Sequence, residues 1–109
     1  MPKLGEINLT GISGTPKPFN VYSLDTNFSE IPAVYVITNR HKNNDKYSHT
    51  FIYVGQTDNL NERLENHHKQ NCFDIQKANA ICIHQEQSEK ARLTIESDLI
   101  KAKNPPCND

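Results

Sequence analysis

The sequence has no tryptophan and only four glycines, and neither sign of charge is in strong excess. Twelve Lys and Arg residues stand against thirteen Asp and Glu residues, so the formal net charge is −1 at pH 7. Proteins that bind nucleic acid through their overall charge carry a basic excess, which leaves this chain only a local basic face for that purpose. Without tryptophan, the core must be built from aliphatic residues, four phenylalanines and four tyrosines.

Long apolar runs are also missing. No segment approaches the roughly 18 residues of a membrane-spanning helix, and the mean hydropathy is −0.74. The N-terminal residues MPKLGEINL lack the basic and then apolar regions of a signal peptide. We therefore expect a cytoplasmic protein with no membrane partner.

The chain has three cysteines, Cys72, Cys82 and Cys107, and no C-x-x-C spacing. An odd number in a protein expected in the cytosol favours reduced thiols over a disulfide framework. The nearby histidines do not complete ligand pairs with the spacing of a structural zinc site. We expect a core position for Cys82 and no reactivity at the other two.

A length of 109 residues is typical of one domain. Residues 1–32 hold three glycines and four prolines and are interpreted as an N-terminal extension packing on the core, in which 7–12 and 19–24 are candidate short strands. Apolar and β-branched patterns predict three further strands and two helices, at 33–38, 50–55 and 79–84 and at 59–70 and 89–103. The predicted fold class is α+β, a small antiparallel sheet of about three strands flanked by helices.

Residues 39–49 (NRHKNNDKYSH) are predicted to be a long polar loop between two antiparallel strands. The loop contains Arg40, Lys42 and Lys46 against Asp45 as its one acidic residue. Such side chains are usually solvated. They are also the candidate contacts of this chain to a nucleic-acid backbone.

The predicted helix at 59–70 begins with Asn59 and carries Glu62 three residues later, as in a capping box. Arg63 and His67 are four residues apart, so they are expected to project from one face of this helix. A strand therefore places Tyr53 shortly before a helix that presents a cation and an imidazole. This strand, turn and helix alone would be ordinary.

Four stretches together resemble the GIY-YIG endonuclease family: AVYVI (33–37), YVG (53–55), NLNERLENH (59–67) and ESDLIKAKNPPCN (96–108). The resemblance covers residues 33–108, which places the nuclease-like domain at 33–109. It implies metal-dependent hydrolysis of phosphodiester bonds in nucleic acid, most naturally DNA, with Mg²⁺ or Mn²⁺ as cofactor. It also implies six catalytic positions: Tyr35, Tyr53, Arg63, His67, Glu96 and Asn108.

The implied roles suit the residue types. A tyrosine hydroxyl accepts a proton from water only if its pKa is lowered or the proton moves on in concert. A guanidinium such as that of Arg63 offers paired donors to phosphate oxygens. A single carboxylate, here Glu96, is a common protein ligand for hydrated Mg²⁺. Asn108 is expected to orient water or phosphate, and His67 to support the tyrosines.

The chain departs from the family pattern at Ala33, where the first glycine is expected, and at Cys107, where an aromatic residue is expected. These departures and the acidic net charge leave open an inactive nucleic-acid-binding module or a subunit of a larger repair, restriction or mobile-element system. The extension at 1–32 would then be an interface for a protein partner or a second copy. The tyrosines alone also fit core packing, and Glu96 is spaced to pair with Arg92.

Overall fold

A computed structural model of the protein describes residues 3–65, 67 and 69–108, and within them five antiparallel strands form one sheet. The spatial order is β1-β2-β5-β3-β4. The bounds are β1 (Gly5–Thr10), β2 (Pro16–Ser23), β3 (Ala33–Asn43), β4 (Lys46–Thr57) and β5 (Ala80–Gln85). The α+β class is as predicted, but the expected number of about three strands was too low.

The two additional strands come from the predicted N-terminal extension. Strand β2 buries Phe19 and Val21, and Val21 pairs with Cys82 on β5. Strand β1 pairs in turn with β2, from Gly5↔Val21 to Thr10↔Pro16. Because apolar residues alternate along β2, its inner face continues the core of the sheet. Much of the extension is therefore part of the sheet itself.

Three α-helices and one 3-10 helix complete the described part of the chain: α1 (Leu60–Glu65), α2 (Gln70–Ile75), α3 (Glu89–Lys103) and a 3-10 helix at Pro106–Asn108. The prediction of one helix over 59–70 was wrong, since α1 ends at Glu65 and His67 lies outside a helix. The predicted caps are present. Asn59 accepts a hydrogen bond from the Glu62 amide, and Ser88 accepts one from the Ala91 amide. None of these helices combines the length and apolar character of a membrane span.

Alternating residues of the sheet build a core on each face. Val34, Val36 and Val54 face α3, where they pack with Ile95 and Leu99. The intervening residues face the opposite side, where one buried cluster includes Tyr35, Ile37, Tyr53, Leu60, Phe73 and Cys107. This second face carries α1, α2 and the 3-10 helix, and it contains the candidate site.

The predicted loop at 39–49 is instead a regular two-stranded extension of the sheet, because β3 and β4 stay paired as far as Asn43↔Lys46. We call residues 39–50 the ribbon. The chain reverses at Asn44 and Asp45, whose φ angles of 52° and 68° are those of the two-residue turns favoured in hairpins. Polar composition concealed this structure, since a ribbon exposed on both faces lacks the apolar alternation of a half-buried strand.

Cys72 and Cys107 form a disulfide, with their Cα atoms 5.9 Å apart. The expectation of three reduced thiols was therefore wrong. The bond joins α2 to the C-terminal 3-10 helix, two elements that meet only because both pack against the same face of the sheet. Cys82 is a buried thiol, as expected.

Candidate active site

Two tyrosines on neighbouring strands form the base of the site. Tyr35 on β3 and Tyr53 on β4 project from the same face of the sheet, and their ring centroids are 6.0 Å apart. Tyr35 is fully buried, whereas Tyr53 remains 8% exposed. Tyr35 and Tyr53 therefore lie side by side, and Tyr53 is the more accessible of the two.

Gly55 makes room for this pair. It lies directly opposite Tyr35 in the β3–β4 register. A Cβ atom at Gly55 would lie 2.6 Å from both Cζ and Oη of Tyr35, and 2.8 Å from Cε2 of Tyr53. These separations are below van der Waals contact, so the Tyr35 ring lies over a position that only glycine fits. The glycine of the YVG stretch thus has a steric reason.

Replacing Gly55 by alanine is expected to displace the Tyr35 hydroxyl, because the buried ring cannot swing into solvent. Misplacing a reacting group by about an ångström costs up to roughly a hundredfold in rate. We expect the rate of the phosphodiester cleavage that the family resemblance implies to fall about ten- to a hundredfold. We also expect the free energy of unfolding to fall by about 1–3 kcal/mol because of overpacking. Single-turnover cleavage and thermal unfolding measure the two effects.

Gly5 provides the control for this substitution, since a Cβ atom there meets nothing within 4 Å. The Gly5→Ala variant is expected to retain the wild-type cleavage rate. Wild-type activity in a folded Gly55→Ala variant would contradict the steric role of Gly55.

His67 is inserted beside the tyrosines rather than exposed on a helix. It is 7% exposed, and its Nε2 lies 2.7 Å from the Tyr35 hydroxyl. The other ring nitrogen, Nδ1, accepts a hydrogen bond from the Lys69 amide at 3.1 Å. Since an accepting Nδ1 carries no hydrogen, the hydrogen of this neutral ring is on Nε2. His67 therefore donates to the Tyr35 oxygen.

Because its oxygen receives a hydrogen from His67, the Tyr35 hydroxyl can direct its own hydrogen elsewhere. Burial raises the pKa of Tyr53, and the neighbouring Tyr35 hydroxyl acts in the opposite direction. Burial likewise raises the pKa of Tyr35. The result is a hydrogen-bonded pair of His67 and Tyr35, with Tyr53 beside it at a ring-centroid distance of 6.0 Å.

Arg63 adds a positive charge near the two tyrosines. It lies on α1 with an exposed side chain. Its charge and a hydrogen bond lower the pKa of Tyr35, and its charge also lowers the pKa values of Tyr53 and Glu96. Arg63 thus acts on both tyrosines and on the carboxylate, as expected for one convergent site. The predicted helical pairing of Arg63 with His67 was wrong, because α1 ends between them.

Glu96 reaches the site from α3. Burial raises the pKa of its carboxyl group, and a hydrogen bond from the Gln56 backbone and the charge of Arg63 act in the opposite direction. The alternative pairing with Arg92 is not formed among the described residues. The buried Arg92 donates to Gln56 Oε1 and to the carbonyl oxygens of Glu86 and Gln87.

Asn108 holds the backbone of β4. Its Oδ1 accepts from the Val54 amide and its Nδ2 donates to the Val54 carbonyl, each at 2.8 Å. Val54 lies between Tyr53 and Gly55, so this pair of hydrogen bonds fixes the strand that carries both residues. The structure thus shows the Asn108 amide in contact with the β4 backbone, and its expected contact with water or phosphate stays a prediction.

The side chains of the site could bind a hard divalent cation only through a single carboxylate, with water and substrate completing the coordination. Within residues 3–65, 67 and 69–108, no three His, Cys, Asp or Glu side chains cluster as metal ligands. Mg²⁺ commonly keeps several waters and binds one or two carboxylates together with substrate phosphate oxygens. A single half-buried carboxylate meets the protein's part of that requirement, and Glu96 is the residue that would hold the ion.

The comparisons with known proteins agree with this geometry. The family model of the GIY-YIG catalytic domain matches residues 31–108. That match defines the class of the protein as a catalytic domain, and such domains are typically endonucleases. The chain belongs to the GIY-YIG family. Searches of curated proteins and of solved structures return no match.

Sequence reasoning brought together five residues that the structure also groups: Tyr35, Tyr53, Arg63, His67 and Glu96. It missed the steric role of Gly55, for which the YVG stretch was the available signal. It also missed Phe73, whose ring centroid lies 4.8 Å from that of His67. No local pattern in the sequence indicates that α2 packs there.

Proposed function

We propose that the protein is an endonuclease that hydrolyses phosphodiester bonds of DNA and depends on Mg²⁺ or Mn²⁺. The observation that supports this most directly is the hydrogen bond between His67 and Tyr35, with Tyr53, Arg63 and Glu96 grouped around it. Membership in the GIY-YIG family supports the reaction class.

In this proposal Tyr53 accepts the proton of the attacking water. It is the more exposed phenol, and the Tyr35 hydrogen bond stabilises the negative charge that forms on its oxygen. Because burial raises the pKa of both phenols, Tyr53 needs this hydrogen bond and the nearby Arg63 charge to act near neutral pH.

Arg63 binds the non-bridging oxygens of the scissile phosphate. Its side chain is exposed and carries several donors in a plane, which match phosphate oxygens. A bound divalent cation supplies further positive charge for the phosphate and the leaving oxygen. Glu96 would hold that ion, while Asn108 and His67 act as positioning residues for β4 and Tyr35.

Metal removal tests this function in the wild-type protein. We expect nicking or cutting of plasmid and linear DNA with Mg²⁺ or Mn²⁺ and no cutting with EDTA, followed by recovery when the metal is restored. Cleavage that persists in EDTA after repurification would contradict the proposal. A panel of circular, linear and single-stranded DNA separates endonuclease from exonuclease activity.

The second candidate is a binding module of the same fold with little or no catalysis, alone or within a larger assembly. The raised pKa of both phenols favours it, because an unassisted phenol is a poor base at neutral pH. Salt-dependent DNA binding with no cleavage under any divalent metal would support this candidate. A protein partner or second copy acting through residues 1–32 belongs with it.

A further inference from the structure

The ribbon has no role in the chemistry proposed above, although it continues the two strands that carry the tyrosines. Strand β5 pairs with β3 only as far as Thr38↔Ala80. Beyond that point the described partners of β3 lie on β4 alone, over five pairs from Asn39↔Thr50 to Asn43↔Lys46. At about 3.4 Å per residue, the ribbon extends roughly 17 Å past the sheet.

The base of the ribbon is fixed to the domain. Asn79 accepts a hydrogen bond from the Arg40 amide at 2.6 Å and donates one to the Arg40 carbonyl at 3.0 Å. Asn39 donates to the Lys77 carbonyl at 2.8 Å. At the far end the two strands are joined directly by a two-residue turn. The base of the ribbon is therefore held in place relative to the strands that carry the tyrosines.

The ribbon is the basic part of an otherwise acidic chain. It holds three basic residues and one acidic residue, so the remaining 97 residues carry nine basic and twelve acidic ones. Lys42 approaches Asp45 at 3.9 Å, but both side chains are well exposed, and exposed pairs of this kind are weak. This charge distribution complements a polyanion.

One face of the ribbon has a defined chemical structure. Arg40 and Lys42 lie opposite His49 and Tyr47 in the register, so all four share a face. The Arg40 guanidinium lies 3.6 Å from the centre of the Tyr47 ring. This stacking orders the arginine and covers one side of an otherwise exposed tyrosine. The face therefore presents ordered positive donors more than an open stacking surface for single-stranded bases.

We propose that the ribbon enters the major groove of double-stranded DNA, about three to five base pairs from the phosphate that is cleaved. A major groove about 12 Å wide admits a two-stranded ribbon, whereas the deep, narrow major groove of RNA duplexes does not. Along β3, Arg40 is three residue steps from Ile37, the partner of Tyr53, and five from Tyr35, which is roughly 10–17 Å or about three to five base pairs at about 3.4 Å each. The proposal deepens the proposed function, since the distance is counted from its active site.

Binding by the full-length wild-type protein in EDTA tests the substrate class. The probes are a 24-base-pair DNA duplex, its single strand and the RNA duplex of the same sequence, measured by fluorescence anisotropy. We expect the DNA duplex to bind at least about tenfold tighter than either competitor, because only it offers the ribbon an open major groove. Equal or tighter binding of the single strand or the RNA duplex would overturn the proposal.

The double variant Arg40→Ala/Lys42→Ala locates the contact. It is expected to bind the DNA duplex about ten- to a hundredfold more weakly and to reduce the salt dependence by about 1.8 in log–log slope, the value for two phosphate contacts. The matched control, Lys90→Ala/Lys101→Ala, removes the same charge from exposed positions on α3. Equal losses in the two variants would overturn the proposal, and thermal unfolding verifies that each is folded.

Guanine methylation at N7 reports on the major groove directly. Methylated guanines about three to five base pairs to one side of the cleavage position are expected to block wild-type binding and to have no effect on the Arg40→Ala/Lys42→Ala variant. Ribbon-dependent duplex binding without cleavage in Mg²⁺ would refute the endonuclease and leave the groove contact intact. A DNA cleavage rate that changes neither with the Arg40→Ala/Lys42→Ala substitutions nor with guanine methylation would refute the groove contact alone.

Discussion

Replacing Glu96 by glutamine is expected to reduce DNA cleavage by about two to three orders of magnitude, the usual loss when one electrostatic contact of a transition state is removed. Glutamine keeps the size of the side chain and an oxygen for the Gln56 backbone, but it removes the negative charge that would hold the cation. Single-turnover rates at saturating Mg²⁺ are the measurement.

The same substitution is not expected to weaken the fold. Burial raises the pKa of Glu96, so folding disfavours its ionised form. A raised pKa contributes stability below the unfolded pKa, and that contribution is lost as pH rises through the folded pKa. At pH 7 the neutral glutamine avoids this cost, and we expect an equal or higher Tm than the wild type.

The control for Glu96→Gln is Glu89→Gln, an exposed position in the first turn of the same helix. It removes one negative charge away from the tyrosines and is expected to leave cleavage unchanged. A Glu96→Gln variant that cleaves within tenfold of the wild type would show that this carboxylate does not serve the reaction.

Removing the disulfide is the second large expected effect. The bond closes a loop between residues 35 apart in sequence. Chain-entropy arguments assign about 4 kcal/mol to a loop of that length. The Cys72→Ala/Cys107→Ala variant is accordingly expected to melt on the order of 15 °C below the oxidised wild type. Cleavage should also fall, because the tail that carries Asn108 is then less firmly held against Val54.

Reductant provides the control for this prediction. It should lower the Tm of the wild type toward that of the double variant and leave the double variant unchanged. Thiol titration of the unfolded, unreduced protein should find one reactive cysteine, Cys82. Three reactive thiols in freshly purified protein would contradict the disulfide. Since disulfides are rare in the cytosol, one thiol would weigh against the cytoplasmic location expected from the sequence.

Local signals predicted local structure well. Ser88 and Asn59 cap their helices because side-chain oxygens and free amides lie within one turn of each other. The apolar segments at 33–38, 50–55 and 79–84 became strands for the same reason, since their β-branched residues favour a pleated surface whatever their partners. The order of elements around the tyrosines followed from these signals.

Contacts between distant parts of the chain were not predictable in the same way. Pairing of β2 with β5 joins residues about sixty positions apart, and the disulfide depends on where two short helices settle. His67 shows how such a contact overrides a periodic pattern. Its spacing from Arg63 indicated one helix face, but hydrogen bonds to Tyr35 and the Lys69 amide hold it inside.

The strand order also has a consequence for how the protein is made. Strand β5 lies in the middle of the sheet but is the last strand in the sequence. The inner edge of β2 therefore pairs with a strand that is synthesised about sixty residues later. During synthesis the hairpin of β1 and β2 therefore leaves the ribosome with an unpaired edge and with Phe19 and Val21 uncovered. Such edges are sites of unwanted association. The nascent chain is most prone to aggregation until residue 85 has left the ribosome and β5 can pair with β2 and β3.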